Sequence, residues 1–173
     1  AIYFSKRVTR AVPDGGPIEA HTDLVKKLDY ECELAVVLGR DARDVPAGQT
    51  RDYVFGYTIL NDVSARDVQT AHKQWYFGKS LDGFTPIGPC IVTADAFADY
   101  PPRLGIRSFV NGEKRQDSNT ALQIFDIDHV IAELSQGMTL KAGTIIATGT
   151  PAGVGMGMDP PQFLKPGDVV RCE

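Results

Sequence analysis

The stretch Leu28-Asp29-Tyr30-Glu31-Cys32-Glu33-Leu34-Ala35-Val36-Val37-Leu38-Gly39 decides how this chain folds. Its apolar run, closed by a glycine, predicts a strand that enters a hydrophobic core. Residues two apart in a strand point to the same face, so Glu31 and Glu33 share a side and Cys32 points away. Two like charges side by side on a core strand are unfavourable unless a positive charge compensates them. The pair therefore predicts a divalent-metal site, with a solvated edge strand as the alternative.

Composition indicates a single soluble domain and excludes several classes of protein. The 173 residues are 43% hydrophobic and 23% charged, with a net charge of −4 and no Lys/Arg cluster, which argues against a nucleic-acid-binding surface. No apolar stretch approaches the ~20 residues needed to span a bilayer, and Ala1–Arg10 lacks the apolar run of a secretory signal. Cys32, Cys90 and Cys172 are sparse and lack CxxC spacing, which favours reduced thiols in the cytoplasm.

Short β-branched segments separated by Gly and Pro predict an α+β fold that is mainly β. The predicted strands are Glu33–Leu38, Val54–Leu60, Ile87–Thr93, Gly105–Val110, Thr144–Thr148 and Asp168–Cys172. Asn111-Gly112 predicts a hairpin turn. One predicted helix is Val63–Lys73, which Asp62 can cap, and the other is Asp126–Leu134, with Asp126 or Asp128 near its start.

A third carboxylate, Asp62, lies at the junction of a predicted strand and helix, where sheet rims bind ligands. Arg66 and Gln69 follow on one helical face. The simpler interpretation makes Asp62 a helix cap with a surface ion pair to Arg66. Together with Glu31 and Glu33, however, Asp62 would form an all-oxygen site that favours Mg²⁺, Mn²⁺ or Ca²⁺ over Zn²⁺. The three histidines have no spacing that relates them to these acids, and we do not expect them to be ligands: His21, His72 and His129.

Two glycine-rich segments could bring further groups to such a site. Gly78-Lys79-Ser80 is not a phosphate loop, because GxxxxGK[ST] fails at its first position; Lys79 is either a single cation at the site or a surface lysine. The predicted strand Thr144–Thr148 enters a Gly/Pro-rich loop that carries Thr150, and such loops bring N–H groups and hydroxyls close to ligand oxygens. A plain strand-exit turn is the alternative. No arrangement for nucleophilic catalysis is evident.

Together these elements resemble the fumarylacetoacetate hydrolase family in their order and spacing. The matching stretches cover nearly the whole chain: Asp29–Gly39, Gly56–Thr58 with Asn61–Gln69, Gly78–Gly83 with Pro86–Pro89, Asn111–Glu113, and Thr148–Gly155. The resemblance implies a mixed β-sandwich roll of the family's C-terminal domain type, commonly a homodimer. It also implies two sets of site residues: Glu31, Glu33 and Asp62 as ligands of Mg²⁺ or Mn²⁺, and Arg66, Gln69, Lys79 and Thr150 around the carboxylate and keto groups of a 2-oxo acid.

The resemblance further implies the class of reaction. We expect a divalent-metal-dependent enzyme that acts on a 2-oxo, 2-hydroxy-dienoic or 1,3-diketo acid through a metal-bound enolate, with Lys79 and Thr150 as catalytic residues. The first expectation is an isomerase or decarboxylase of the 2-hydroxyhepta-2,4-diene-1,7-dioate type. Acylpyruvate or fumarylpyruvate hydrolysis and oxaloacetate decarboxylation or tautomerisation are alternatives. A non-catalytic metal- or ligand-binding domain is the alternative from another class.

The chain departs from the family pattern at both ends. Family members usually begin with a mobile lid that carries a His–Glu pair, whereas this sequence opens downstream of it, near the family's Phe-x-Lys element at Phe4-Ser5-Lys6. We therefore expect residues 1–173 to form a single catalytic domain without that lid and without a closing C-terminal strand. The general base would then come from the lid.

Overall fold

The computed structural model describes residues Ala1 to Glu173 and is mainly β, as predicted. The strands are β1 (Leu28–Asp29), β2 (Cys32–Leu38), β3 (Val54–Asn61), β4 (Ser64–Ala65), β5 (Ile87–Thr93), β6 (Gly105–Val110), β7 (Glu113–Asn119), β8 (Ile145–Ala147) and β9 (Val170–Cys172). The α-helices are α1 (Arg66–Ala71), α2 (Tyr76–Lys79) and α3 (Ile127–Leu134). Single 3₁₀ turns occur at Thr50–Tyr53, Ala94–Ala96, Thr120–Leu122 and Gly155–Gly157. None of the helices combines the length and apolar character that crossing a membrane requires.

The strands form three sheets, and β2 is an inner strand of the largest one. The sheet orders are β5-β3-β2-β8, β7-β6-β9 and β1-β4. All of these ladders are antiparallel, and one isolated bridge, between Val12 and Pro86, is parallel. β2 pairs with β3 from Cys32↔Asn61 to Leu38↔Val54. Because every residue of β2 is buried, its apolar run is explained by cover on both faces.

Two hydrophobic clusters hold these sheets in place. In the larger one, alternate residues of β2 pack against Tyr57 of β3 and against Ile127 and Ile131 of α3. The cluster comprises Leu34, Val36, Leu38, Ala42, Val45, Val54, Tyr57, Ile127, Ile131 and Leu140. The smaller cluster consists of Val25, Leu28, Val63, Ala65, Val68 and Phe84. Val63, Ala65 and Val68 of this cluster lie next to Asp62 and Arg66 in the sequence. Their packing therefore fixes the segment that carries these two candidate site residues.

Most local predictions are confirmed. Each predicted strand overlaps an observed one, and Asn111 and Gly112 form the β6–β7 turn with positive φ angles of 52° and 83°. Asp126 caps α3 by accepting a hydrogen bond from the His129 N–H at 2.8 Å. All three cysteines are free. β7 was not predicted, because its sequence Glu113–Asn119 is polar throughout and lacks an apolar alternation.

The predicted helix Val63–Lys73 with an Asp62 cap is wrong at its start. The helix begins at Arg66, and its N-cap residue is Ala65, which makes no side-chain capping bond. Ser64–Ala65 instead forms β4, which pairs with Leu28–Asp29 of β1. Because this segment pairs with a strand that lies far away in sequence, the Asp62 carboxylate is not used as a cap and faces other charged groups.

Candidate metal and substrate site

Three buried carboxylates converge where β2 begins and β3 ends. Glu31, Glu33 and Asp62 each place one carboxylate oxygen within 4.8 Å of the others. Tyr30 and Glu31 lie between β1 and β2 and belong to neither strand. The Glu31 N–H donates instead to the Asn61 side chain at 3.0 Å. The Asp62 N–H donates to the Glu31 carbonyl at 2.8 Å. These backbone contacts hold the acids together, and the all-oxygen donor set fits a hard divalent cation.

Protein cations compensate two of the three acids. Lys79 Nζ lies 2.7 Å from Glu31 Oε2 and 2.7 Å from Asp62 Oδ2. Lys6 Nζ lies 2.7 Å from Asp62 Oδ1, and Arg66 Nη1 lies 2.6 Å from Glu31 Oε1. Lys79 is only 1% exposed, so it is not a surface lysine. The alternative of a surface Asp62–Arg66 ion pair is wrong, because Asp62 is buried and pairs with the two lysines.

Glu33 is the member of the triad that forms no ion pair with a protein cation. It forms no salt bridge, and it accepts a hydrogen bond from the Gly149 N–H at 2.7 Å. Burial, followed by the nearby charges of Asp62 and Glu31, raises the pKa of Glu33 well above its ordinary value. A buried carboxylate in this condition favours either a proton or a bound cation. The site therefore retains one unbalanced negative charge that a divalent ion would satisfy.

The two lysines reach the site by different routes. Lys79 is the last residue of α2, whose close approach to α1 requires Gly78: a Cβ there would lie 2.5 Å from the Gln69 nitrogen. Lys6 comes from the N-terminal segment and also donates to the Lys79 carbonyl at 2.5 Å. Burial lowers the pKa of Lys6, although Asp62 opposes the shift. Lys6 was not predicted as a site residue, because its segment has no periodicity that places it; the Phe4-Ser5-Lys6 element was the available signal.

Asp29 is a second site residue that sequence reasoning missed. It is 0% exposed, and its Oδ2 accepts from Arg66 Nε at 2.9 Å. The N–H groups of Gly155 and Met156 donate to Asp29 at 2.7 and 2.9 Å. Asp29 thereby ties Arg66 to the glycine-rich loop, while Arg66 Nη1 also contacts Gln69 Oε1 at 3.1 Å. An acid inside an apolar strand was the available signal for Asp29.

Thr150 lies at the beginning of the glycine-rich loop, beside the carboxylates. Its hydroxyl donates to the Cys32 carbonyl at 2.9 Å and accepts from Gln116 Nε2 at 2.7 Å. A threonine hydroxyl has one proton to donate, and Cys32 receives it. The Thr150 backbone N–H makes no hydrogen bond within the protein, so this N–H, rather than the hydroxyl, is the donor that remains for a ligand.

These groups line one cleft of about 730 Å³. Its polar part contains all seven residues predicted from the sequence: Glu31, Glu33, Asp62, Arg66, Gln69, Lys79 and Thr150. Apolar side chains line much of the remainder, including Ile2, Phe4, Trp75, Leu122, Ile124 and Phe125. The Phe4 ring lies 5.4 Å from Lys79 Nζ and packs edge-on to Trp75. A charged centre with an apolar extension suits a small organic acid.

Comparison with known proteins agrees with this geometry. A family model described as the fumarylacetoacetate (FAA) hydrolase C-terminal region matches residues 1–173. The chain belongs to the fumarylacetoacetate hydrolase family. It is 46% identical over 167 residues to oxaloacetate tautomerase YisK of Bacillus subtilis (strain 168), covering 96% of this chain and 55% of that protein. It therefore spans about half the length of the curated relatives it matches.

Solved structures of the fumarylacetoacetate hydrolase family share the fold. A fumarylacetoacetate hydrolase from Exiguobacterium antarcticum is 52% identical with a TM-score of 0.88, over 91% of this chain and 56% of that one. A 2-hydroxyhepta-2,4-diene-1,7-dioate isomerase from Mycobacterium marinum is 38% identical with a TM-score of 0.78, over 97% and 59%. A fumarylpyruvate hydrolase from Pseudomonas aeruginosa, in complex with Mn²⁺ and pyruvate, is 28% identical with a TM-score of 0.82, over 95% and 69%. The fold implied by the resemblance is confirmed.

Proposed function

We propose that this chain forms the catalytic domain of a divalent-metal-dependent enzyme that interconverts the keto and enol forms of a 2-oxo dicarboxylic acid. The observation that carries the proposal is the buried triad in which Glu33 lacks a cation while Lys79 and Arg66 stand beside it. The name of the 46% identical relative, an oxaloacetate tautomerase, supports this reaction and makes oxaloacetate the first substrate to test. Decarboxylation of the same acid remains the closest alternative.

In this proposal Glu31, Glu33 and Asp62 hold the metal, either Mg²⁺ or Mn²⁺. The Mn²⁺ in the Pseudomonas aeruginosa structure supports a divalent ion at such a site. Glu31 and Asp62 already contact protein cations, but each carboxylate oxygen has a further lone pair that can bind an ion. A bound cation supplies Lewis-acid stabilisation of negative charge that develops on the substrate.

The chain's own residues would bind and orient the substrate. Arg66 has more N–H donors than its contacts with Asp29, Glu31 and Gln69 use, so it can bind a carboxylate in a fixed orientation. Lys79 adds positive charge where the oxygen of the substrate becomes negative, and the Thr150 N–H binds an adjacent oxygen. We expect the proton transfer to be faster in a protein that also carries the His–Glu pair that family members usually have on a mobile lid.

A second candidate is a reaction on a longer acid. The cleft of about 730 Å³ is large for a four-carbon acid, and its apolar lining at Trp75, Leu122 and Ile124 would suit a dienoate or acyl chain. The 38% identity to a 2-hydroxyhepta-2,4-diene-1,7-dioate isomerase supports the isomerase form, and the fumarylpyruvate hydrolase supports C–C hydrolysis. A homodimer stays part of the proposal on the basis of the family resemblance, and a cytoplasmic location on the basis of the sparse cysteines.

The test is a substrate panel assayed with and without Mg²⁺ or Mn²⁺. Oxaloacetate tautomerisation is followed by the loss of enol absorbance, and acetylpyruvate, fumarylpyruvate and the heptadienedioate are assayed in parallel. We expect metal-dependent acceleration with oxaloacetate that is lost in Glu33→Ala and retained in the surface variant Lys114→Ala. A protein inactive on all four acids in both conditions would contradict the proposal.

A further inference from the structure

Gln116 of β7 is a fully bonded side chain that lies next to the charged site. It is 0% exposed. Its Nε2 donates to Thr150 Oγ1 at 2.7 Å and to the Pro151 carbonyl at 2.8 Å. Its Oε1 accepts from the Cys32 N–H at 3.1 Å and from the Ser108 hydroxyl at 2.8 Å. A glutamine amide has two donors and two acceptor sites, and here all of them are used.

These bonds join the carboxylate strand to the glycine-rich loop. Cys32 stands between Glu31 and Glu33, and its carbonyl receives the Thr150 hydroxyl proton at 2.9 Å. Gln116, Thr150 and Cys32 therefore close a ring of hydrogen bonds around one residue of the carboxylate strand. Because Gln116 donates to the Thr150 oxygen, the threonine proton must point to Cys32. The ring leaves the Thr150 N–H as the group that can meet a ligand.

The backbone of the loop is intrinsically permissive, and Gln116 supplies two of its attachments, beside those of Glu33 to Gly149 and Tyr30 to Gly153. Gly149 and Gly153 have φ angles of 95° and 109°, in a region that only glycine enters readily. A ligand that must first order a loose loop loses affinity for that reason. Glu31 and Asp62 do not depend on Gln116 in the same way, because backbone bonds and protein cations hold them. The backbone of Glu33 is fixed by its pairing with Leu60 in the sheet.

We propose that Gln116 is a positioning residue that fixes the Thr150 loop against the carboxylate strand. It thereby sets the affinity for the oxygens of a 2-oxo acid, but not the affinity for the metal. The inference rests on the proposed function, since it assumes a divalent ion at the triad and a carboxylate-bearing ligand beside the loop.

The test compares Gln116→Met with Ser108→Ala, using Mn²⁺ and then oxalate as ligands in isothermal titration calorimetry. Methionine keeps the length of the side chain but loses both bonds to the loop. It also loses the two bonds that Gln116 Oε1 accepts from the Cys32 N–H and the Ser108 hydroxyl. Ser108→Ala removes one bond to Gln116 Oε1 and leaves both loop bonds in place. We expect the Mn²⁺ affinity to stay within about twofold of wild type in both variants. The oxalate affinity should fall about tenfold in Gln116→Met only, because the loss of one to two hydrogen bonds produces a change of about this size.

The outcomes separate this inference from the proposed function. Equal oxalate affinity in Gln116→Met and wild type would overturn the positioning role, as would an equal loss of Mn²⁺ and oxalate affinity. If Gln116→Met does not fold, Thr150→Val serves instead, because it removes the hydroxyl that bonds to Gln116 and Cys32. This variant should lower the affinity for oxalate alone. An unchanged oxalate affinity in Thr150→Val would also overturn the positioning role. A wild-type protein that binds Mn²⁺ but not oxalate, or neither, would overturn the proposed function and this inference with it.

Discussion

Replacing Glu33 by glutamine is expected to stabilise the metal-free protein while it abolishes metal binding. Glu33 is 3% exposed, has one hydrogen bond from the Gly149 N–H and has no salt bridge. Glutamine keeps the size and an acceptor oxygen, removes the buried charge, and can donate to the carboxylates of Glu31 and Asp62. We expect a gain of about 1–3 kcal/mol in the free energy of unfolding at pH 8, the usual cost of a buried group with too few partners.

The gain should depend on pH in a defined direction. Burial raises the pKa of Glu33 above the ordinary value of 4.5, so the folded protein binds this proton more tightly than the unfolded chain does. The protein therefore loses stability as pH rises from that ordinary value through the raised one. Because glutamine does not titrate, the advantage of Glu33→Gln over wild type should be small near pH 4.5 and grow toward pH 8.

Glu31→Gln is the matched control, since it is the same substitution two residues away. Glu31 pairs with Arg66 at 2.6 Å and with Lys79 at 2.7 Å, so its neutralisation leaves two buried cations short of a partner. We expect a loss of about 3–5 kcal/mol. The two variants should thus change stability in opposite directions, although both should lose metal binding.

Urea unfolding followed by circular dichroism measures these differences, with EDTA present at each pH. Titration calorimetry with Mn²⁺ then measures metal binding in the same preparations. The reasoning is refuted if Glu33→Gln is less stable than wild type at pH 8, or if it binds Mn²⁺ with the affinity of wild type.

Three further predictions address the core, the α1–α2 contact and the metal. Ile131→Ala should lower the free energy of unfolding by about 2–5 kcal/mol, whereas Ile124→Ala, at a side chain 92% exposed, should change it by less than about 0.5 kcal/mol; comparable losses in urea unfolding would contradict this core. Gly78→Ala should lower the melting temperature in calorimetry, at a cost of about 1–3 kcal/mol, because its Cβ would lie 2.5 Å from the Gln69 nitrogen; an unchanged melting temperature would count against that contact. Mn²⁺ at a hundredfold excess over its dissociation constant should add about 2.7 kcal/mol and EDTA should remove it; a melting temperature indifferent to Mn²⁺ would argue against the site.

The features that local sequence determines were predictable. The strands follow from apolar segments between turn residues, and the β6–β7 hairpin follows from Asn111-Gly112, which takes up positive φ angles. Asp126 caps α3 because the acceptor and the donor N–H are only three residues apart. The convergence of Glu31, Glu33 and Asp62 was also expected, but it was implied by the resemblance to the fumarylacetoacetate hydrolase family and not by the local pattern.

The features that depend on distant pairing were not predictable from the residues. Asp62 has the local pattern of a helix cap, but Ser64–Ala65 pairs with β1 instead, and the helix begins later. Lys6 and Asp62 are 56 positions apart in sequence, so no spacing rule joins them. Gln116 lies in a polar segment without an apolar alternation, and it is buried where β7 pairs with β6 and Gln116 bonds to Cys32 of β2.

Protein cations form ion pairs with Glu31 but not with Glu33, and this difference between the two acids bears on function. The cations of the chain are distributed so that Arg66, Lys79 and Lys6 satisfy Asp29, Glu31 and Asp62, while Glu33 receives none of them. A glutamine at position 33 would serve the fold better, since it would keep the hydrogen bond to Gly149 without the desolvated charge. The presence of a residue that destabilises the metal-free protein is explained if a bound ligand removes that destabilisation. Part of the affinity for a divalent cation would then come from the burial of Glu33, because binding the ion removes an electrostatic cost that the metal-free fold bears.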